Sequence, residues 1–138
     1  MAVVVDASVV LVLVSGDSRR EAAQRAMREW VTRGERVHAP SLMPYEVASG
    51  MTRLIHAGAL PADRAESLWR LVDALPIVYH PLAGGAGVTD LALRLRRRSA
   101  YDAAYLALAQ SLGAELWAFD GPLATNAASL GLPVREPR

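Results

Sequence analysis

The chain has 138 residues, 52% of them hydrophobic, enough for one compact domain with a real core and too few for two comfortable ones. A formal net charge of +1 neither demands nor excludes nucleic acid as a partner. There is no Cys, and all 15 basic residues are Arg, which excludes thiol nucleophiles, thiolate zinc sites, disulfides, Walker A phosphate loops and Schiff-base chemistry.

The opening run MAVVVDASVVLVLV lacks a basic n-region, carries Asp6 in its middle and is too short to span a bilayer. A soluble, cytoplasmic protein without membrane attachment is the expectation. Ala2 to Asp6 suits a strand buried on both faces of a parallel sheet, and Ser8 is placed to cap the short apolar helix that follows. Asp17 and Ser18 offer a cap to an amphipathic helix with Ala22, Ala26, Met27, Trp30 and Val31 at helical spacing, ending at Gly34. Arg36 to Ala39 is a strand stopped by Pro40, and Ser41 caps a helix reaching about Ala57 with Gly58 as its stop. Pro61 opens a helix carrying Ala65, Leu68, Leu71 and Val72, and Ile77 to Tyr79 is a strand closed by Pro81. Gly84 to Gly87 reads as a loop, its glycines wrongly spaced for a dinucleotide-binding turn. Val88 to Arg97 and Ala100 to Leu112 follow as helices, then a strand over Glu115 to Phe119, a helix over Leu123 to Leu130 and an edge strand over Leu132 to Arg135. Strands alternating with helices predict an α/β protein, a three-layer α/β/α sandwich on a mainly parallel sheet of four to five strands, built as one domain over residues 1–138.

Four acids stand alone in apolar surroundings: Asp6 after MAVVV, Glu46 in LMPYEVASGM, Asp102 in SAYDAAYLALA and Asp120 after LWAF. A buried carboxylate without a partner is costly, so one shared cation explains four such acids more simply than four separate reasons do. Asp6 and Asp120 end predicted strands, where open α/β sheets bind ligands, while Glu46 and Asp102 lie in the first turns of helices. Clustered carboxylates repel one another, and an all-oxygen donor set without His or Cys suits Mg²⁺ or Mn²⁺. Attack of metal-activated water on a phosphodiester follows from such a site. Each acid also has a bland role open to it: Asp6 as a helix cap, Glu46 as a partner of Arg53, Asp102 as a first-turn acid and Asp120 as a turn residue.

The segments VVVDASVV, APSLMPYEVASGM, SAYDAAYLALAQSLGAELWAFDGPL and AASLGLPV together resemble the PIN-domain nucleases, specifically the VapC-type toxins of bacterial toxin-antitoxin pairs. The resemblance covers essentially the whole chain in order and implies a PIN-like fold. It implies that Asp6, Glu46, Asp102 and Asp120 form a catalytic metal site for Mg²⁺ or Mn²⁺, with the Ser8 hydroxyl in support. It further implies hydrolysis of transfer or ribosomal RNA, inhibition by a cognate VapB-type antitoxin, and a homodimer. The chain departs from the family around the fourth acid, where a Thr two residues before it and basic residues after it are common; here stand Ala118, Gly121 and Pro122. A non-catalytic, degenerate PIN-like binding module is therefore the alternative.

Arg94, Arg96, Arg97 and Arg98 precede Asp102, and a basic rim binding RNA phosphates through Arg97 and Arg98 is weighed against a solvated helix end. His38, His56 and His80 have no partner at metal-ligand spacing and read as structural. Trp30, Trp69 and Trp117 read as core, while Tyr101 and Tyr105 flank Asp102 without a settled role. An aspartyl-phosphate enzyme is disfavoured, because a phosphatase wants a second Asp where Ser8 stands and a receiver wants a Lys.

Overall fold

The computed structural model describes residues 2–97 and 99–138. Five strands, β1 (Ala2–Val5), β2 (Arg36–Pro40), β3 (Ile77–His80), β4 (Glu115–Trp117) and β5 (Val134–Arg135), form one parallel sheet in the order β3-β2-β1-β4-β5. The chain runs outward from β1 through β2 to β3, then returns to the far side of β1 for β4 and β5. That reversal makes the gap beyond β1 and β4 the topological switch point, where sheets of this kind leave a crevice. Val3, Val4 and Val5 are all buried, so β1 is covered on both faces as its unbroken apolar run requires.

Among the described residues, seven α-helices flank the sheet: α1 (Ala7–Val14), α2 (Arg20–Thr32), α3 (Met43–His56), α4 (Ala65–Ala74), α5 (Gly85–Arg94), α6 (Tyr101–Leu112) and α7 (Gly121–Ser129). α6 lies across β1, β2 and β4 with α5 packed on it, while α1 gathers α2, α3 and α4. The α1–α3 contact is close at Gly50, where an added Cβ would stand 2.3 Å from Leu11 Cδ1. Trp30 of α2 meets Trp117 of β4 edge to face, with ring centroids 5.3 Å apart and planes at 65°.

Several local expectations change. Asp6 caps α1, accepting the N–H groups of Ser8 at 3.0 Å and Val9 at 3.4 Å, so the cap belongs to the acid and not to Ser8. Neither Ser18 nor Ser41 caps its helix: Arg19 and Leu42 hold those positions without a side-chain bond. α2 turns Ala23, Ala26, Met27 and Trp30 inward and leaves Val31 54% exposed, a buried face narrower than the expected one. Leu71 likewise points outward, 49% exposed, while Leu68 and Val72 fill the core side of α4. The glycine segment is half helical, because Gly84 at φ 72 turns the chain and α5 begins at Gly85. The histidines are not all scattered: His38 Nδ1 lies 2.8 Å from His80 Nε2 across neighbouring strands, an approach in which one ring must be neutral to accept.

α5 stops at Arg94, before the expected Arg97, through a Schellman end. The N–H of Arg96 donates to Leu93 at 3.0 Å and that of Arg97 to Ala92 at 3.1 Å. Arg96 sits at φ 58, the left-handed position that glycine normally fills at such an end. A side chain there costs about 1–2 kcal/mol, whereas glycine's greater freedom in the unfolded chain costs about 0.4–1 kcal/mol. Arg96→Gly is therefore expected to stabilise the protein by about 0.5–1 kcal/mol in urea denaturation; a loss of stability would show that the Arg96 side chain makes a compensating contact.

Candidate active site

The site begins where β1 and β4 run out side by side. Their ladder continues past the strands, the N–H of Asp6 donating to the Trp117 carbonyl at 3.2 Å. Ser8 ties the ends together: its hydroxyl donates to Asp6 Oδ1 and accepts the N–H of Phe119 at 2.8 Å. Asp120 follows immediately and caps α7 by accepting the N–H of Leu123 at 2.9 Å, with Pro122 in the helix's first turn where its missing N–H costs nothing. Asp6 and Asp120 thus act as helix caps and face the same switch-point crevice.

α3 and α6 supply the other two acids. Glu46 and Asp102 lie in first turns, where the helix dipole favours negative charge. Tyr105 stands three residues after Asp102 on the same face of α6, is buried, and donates its hydroxyl to Glu46 Oε1 at 2.6 Å. Glu46 therefore pairs with Tyr105, while Arg53 reaches Ser49 Oγ at 3.3 Å. A cleft of ≈ 460 Å³ opens beside Glu46, lined by Leu42, Tyr45, Ser49, Arg53 and Tyr101. Tyr105 was visible in the sequence only through its spacing from Asp102.

The acids interact in a row. Glu46 feels Asp102, and both Asp102 and Asp6 feel Asp120. Arg97 closes the middle of it, Nε 2.9 Å from Asp102 Oδ2 and Nη2 3.4 Å from Asp120 Oδ2. Positive charge at Asp120 thus comes from Arg97 and not from the residues after the acid. Arg97, expected at an RNA-binding rim, forms ion pairs with the acids in this structure, and Arg98 lies outside the described residues. The premise that all four acids lack partners is also corrected: each has one, local in the chain for Asp6, Asp102 and Asp120 and distant for Glu46.

Burial pushes the Asp6 carboxyl up to about 7, against the Ser8 hydroxyl and the N–H groups of Val9 and Ser8, which favour the charged form. Burial also raises Glu46, which the Tyr105 hydroxyl opposes, and Asp102, which Arg97 opposes. Burial, followed by the adjoining Glu46 carboxylate, pushes the Tyr105 phenol far above its ordinary range, so it remains a donor. The hydrogen bonds of Asp6 all fall on Oδ1, leaving Oδ2 free of them. All-carboxylate oxygen donors with a buried charge still short of compensation fit a hard divalent cation. Among the described residues no three His, Asp or Glu side chains are yet gathered around one point, and Arg97 stands between two of the acids.

The model of the PIN domain matches residues 3–127. The chain belongs to the PIN-domain family. Within it, Ribonuclease VapC3 of Pyrobaculum aerophilum is 34% identical over 139 residues, covering 96% of this chain and all of that protein (100%). Ribonuclease VapC9 of Mycobacterium tuberculosis is 34% identical over 118 residues, covering 83% of this chain and 82% of its own length. Two solved structures share the fold. PAE2754 of Pyrobaculum aerophilum aligns with TM-score 0.68 and 21% identity, covering 97% of this chain and 83% of its own. VapC20 of Mycobacterium tuberculosis, described as a toxin that cleaves the sarcin-ricin loop, aligns with TM-score 0.66 and 19% identity over 94% of this chain and 95% of its own. This PIN domain is thus of the VapC type, with the parallel sheet and flanking helices of that fold. No helix among the described residues is long and apolar enough to cross a membrane.

The raised Asp6 carboxyl gives the PIN domain a definite pH dependence. Because its folded value of about 7 lies above the ordinary 3.8, the native state holds the proton more tightly than the unfolded chain does. The stability it contributes is full below about 4 and is lost as pH rises towards 7, and Glu46 and Asp102 shift in the same direction. In EDTA, the unfolding free energy is expected to fall across that interval, and Asp6→Asn should flatten most of the slope. An unchanged slope in Asp6→Asn would mean that Ser8 and the cap bonds already offset the burial.

Proposed function

We propose that this PIN domain is a metal-dependent endoribonuclease and the toxin of a VapBC-type pair, hydrolysing transfer or ribosomal RNA. The observation that supports the reading is the row of carboxylates from the ends of β1 and β4 and the starts of α3 and α6, each within electrostatic reach of the next, with Asp6 buried and short of counter-charge. The relatives named VapC ribonucleases support the same class of reaction.

Asp6, Glu46, Asp102 and Asp120 would hold Mg²⁺ or Mn²⁺. When bound, such an ion lowers the pKa of a coordinated water and neutralises charge on the scissile phosphate. The chain's own groups prepare the site. Ser8 fixes the rotamer of Asp6 and ties it to the β4 end through Phe119. Tyr105 holds Glu46 and is too weak an acid to compete for the reaction's proton. The exposed Tyr45, at 80%, and Tyr101, at 57%, border the cleft beside Glu46 and offer faces to unstacked bases. Leu82 and Leu93, at 70% and 71% exposed, leave apolar surface for the VapB-type antitoxin and for a homodimer. The alternative, a PIN-like module that binds without cutting, draws on the occupation of Asp102 and Asp120 by Arg97.

Cleavage of a labelled single-stranded RNA in Mn²⁺ separates the two readings. Asp6→Asn and Asp102→Asn should each lower the rate by at least about 100-fold with unchanged far-UV circular dichroism; full activity in either variant would overturn the assignment of the acids, and no activity in the wild type across a metal titration would favour the binding module.

A further inference from the structure

The acidic row already contains a cation, the guanidinium of Arg97, and its geometry is that of a loose occupant. Arg97 follows Arg96, whose φ of 58 ends α5, and it lies between Asp102 at the start of α6 and Asp120 beyond β4. A well-formed arginine–carboxylate fork has paired N–H···O bonds of about 2.7–2.9 Å. Here Nε comes within 2.9 Å of Asp102 Oδ2, yet this buried atom has no aligned hydrogen-bond acceptor. The contacts with Asp120 are stretched to 3.4 and 3.5 Å. All three side chains keep 25–32% of their surface in solvent, where such pairs are weak and exchangeable.

We propose that Arg97 is a resident counter-cation that exchanges with the divalent ion: in the metal-free protein it screens Asp102 from Asp120, and it leaves both carboxylates when the ion takes them. The proposal rests on the metal-dependent reading above. The two cations compete for the same oxygens, so each weakens the binding of the other by an equal factor. Once displaced, Arg97 remains at the crevice rim with a planar, permanently charged fork suited to a phosphate oxygen of the substrate. It is then positioned by the same exchange that prepares the site, which couples metal loading to substrate binding.

Calorimetric titration with Mn²⁺ and thermal melts in EDTA test the exchange without relying on turnover. Arg97→Ala should bind Mn²⁺ about tenfold more tightly than wild type. It should also melt at a lower temperature in EDTA, because Asp102 and Asp120 then face each other unscreened, and gain a larger rise in Tm on adding Mn²⁺. Arg97→Met fills the same space without charge and gives the same readings if the alanine variant folds poorly. Arg70→Ala removes equal charge from the pair with Glu66 on α4 and should leave the Mn²⁺ affinity unchanged. Equal or weaker Mn²⁺ binding in both Arg97 variants, or equal tightening in Arg70→Ala, overturns the exchange while the metal-dependent reading stands. Absence of Mn²⁺ binding in wild type and variants alike at millimolar metal overturns both.

Discussion

Bringing carboxylates from separate elements to one end of a parallel sheet sets the condition that the rest of the site has to satisfy. Each approach of like charge in a half-buried crevice raises the energy of the ionised state, and the chain offsets this with different groups at each position. Asp6 relies on the start of α1 and the Ser8 hydroxyl, Glu46 on the Tyr105 phenol, Asp102 on Arg97, and Asp120 on Arg97 and the start of α7. The offset is incomplete at Asp6, the one acid that is buried outright. That imbalance is what the proposed cation would relieve.

The topology explains why these groups meet. With β1 central and β4 beside it, residues that follow those two strands are neighbours in space although more than a hundred positions separate them in the chain. α6 crosses β1, β2 and β4, which carries its amino-terminal Asp102 and Tyr105 over the same rim. The helix starts then serve twice. A cap acid satisfies orphan N–H groups at the start of a helix and also leaves an oxygen facing the crevice, so structure and chemistry use the same carboxylate.

The features legible in the sequence were those with a strong local signature. The β-branched run of β1 and the alternation of strands and helices specified a parallel α/β sheet, the acids isolated in apolar stretches pointed to a carboxylate cluster beyond its strand ends, and the family resemblance agrees with the PIN-domain match. What escaped depended on partners distant in the chain. Asp6 and Ser8 both suit a cap in the sequence, and the start of α1 at Ala7 assigns the cap to the acid, leaving the Ser8 hydroxyl to Asp6 and Phe119. The His38–His80 approach crosses two strands and is invisible to a search at helical spacing. Arg97 was read within a charge run, but the left-handed turn at Arg96 separates it from that run and turns it to the acids.

The most direct test of a site organised around uncompensated carboxylates is the dependence of RNA cleavage on added metal. The purified protein is stripped with EDTA and titrated with Mn²⁺ against a labelled single-stranded RNA, with bound metal measured in parallel by calorimetry. The account predicts no cleavage in EDTA and a rate that rises in step with metal occupancy to saturation. Cleavage at an undiminished rate in EDTA would contradict it.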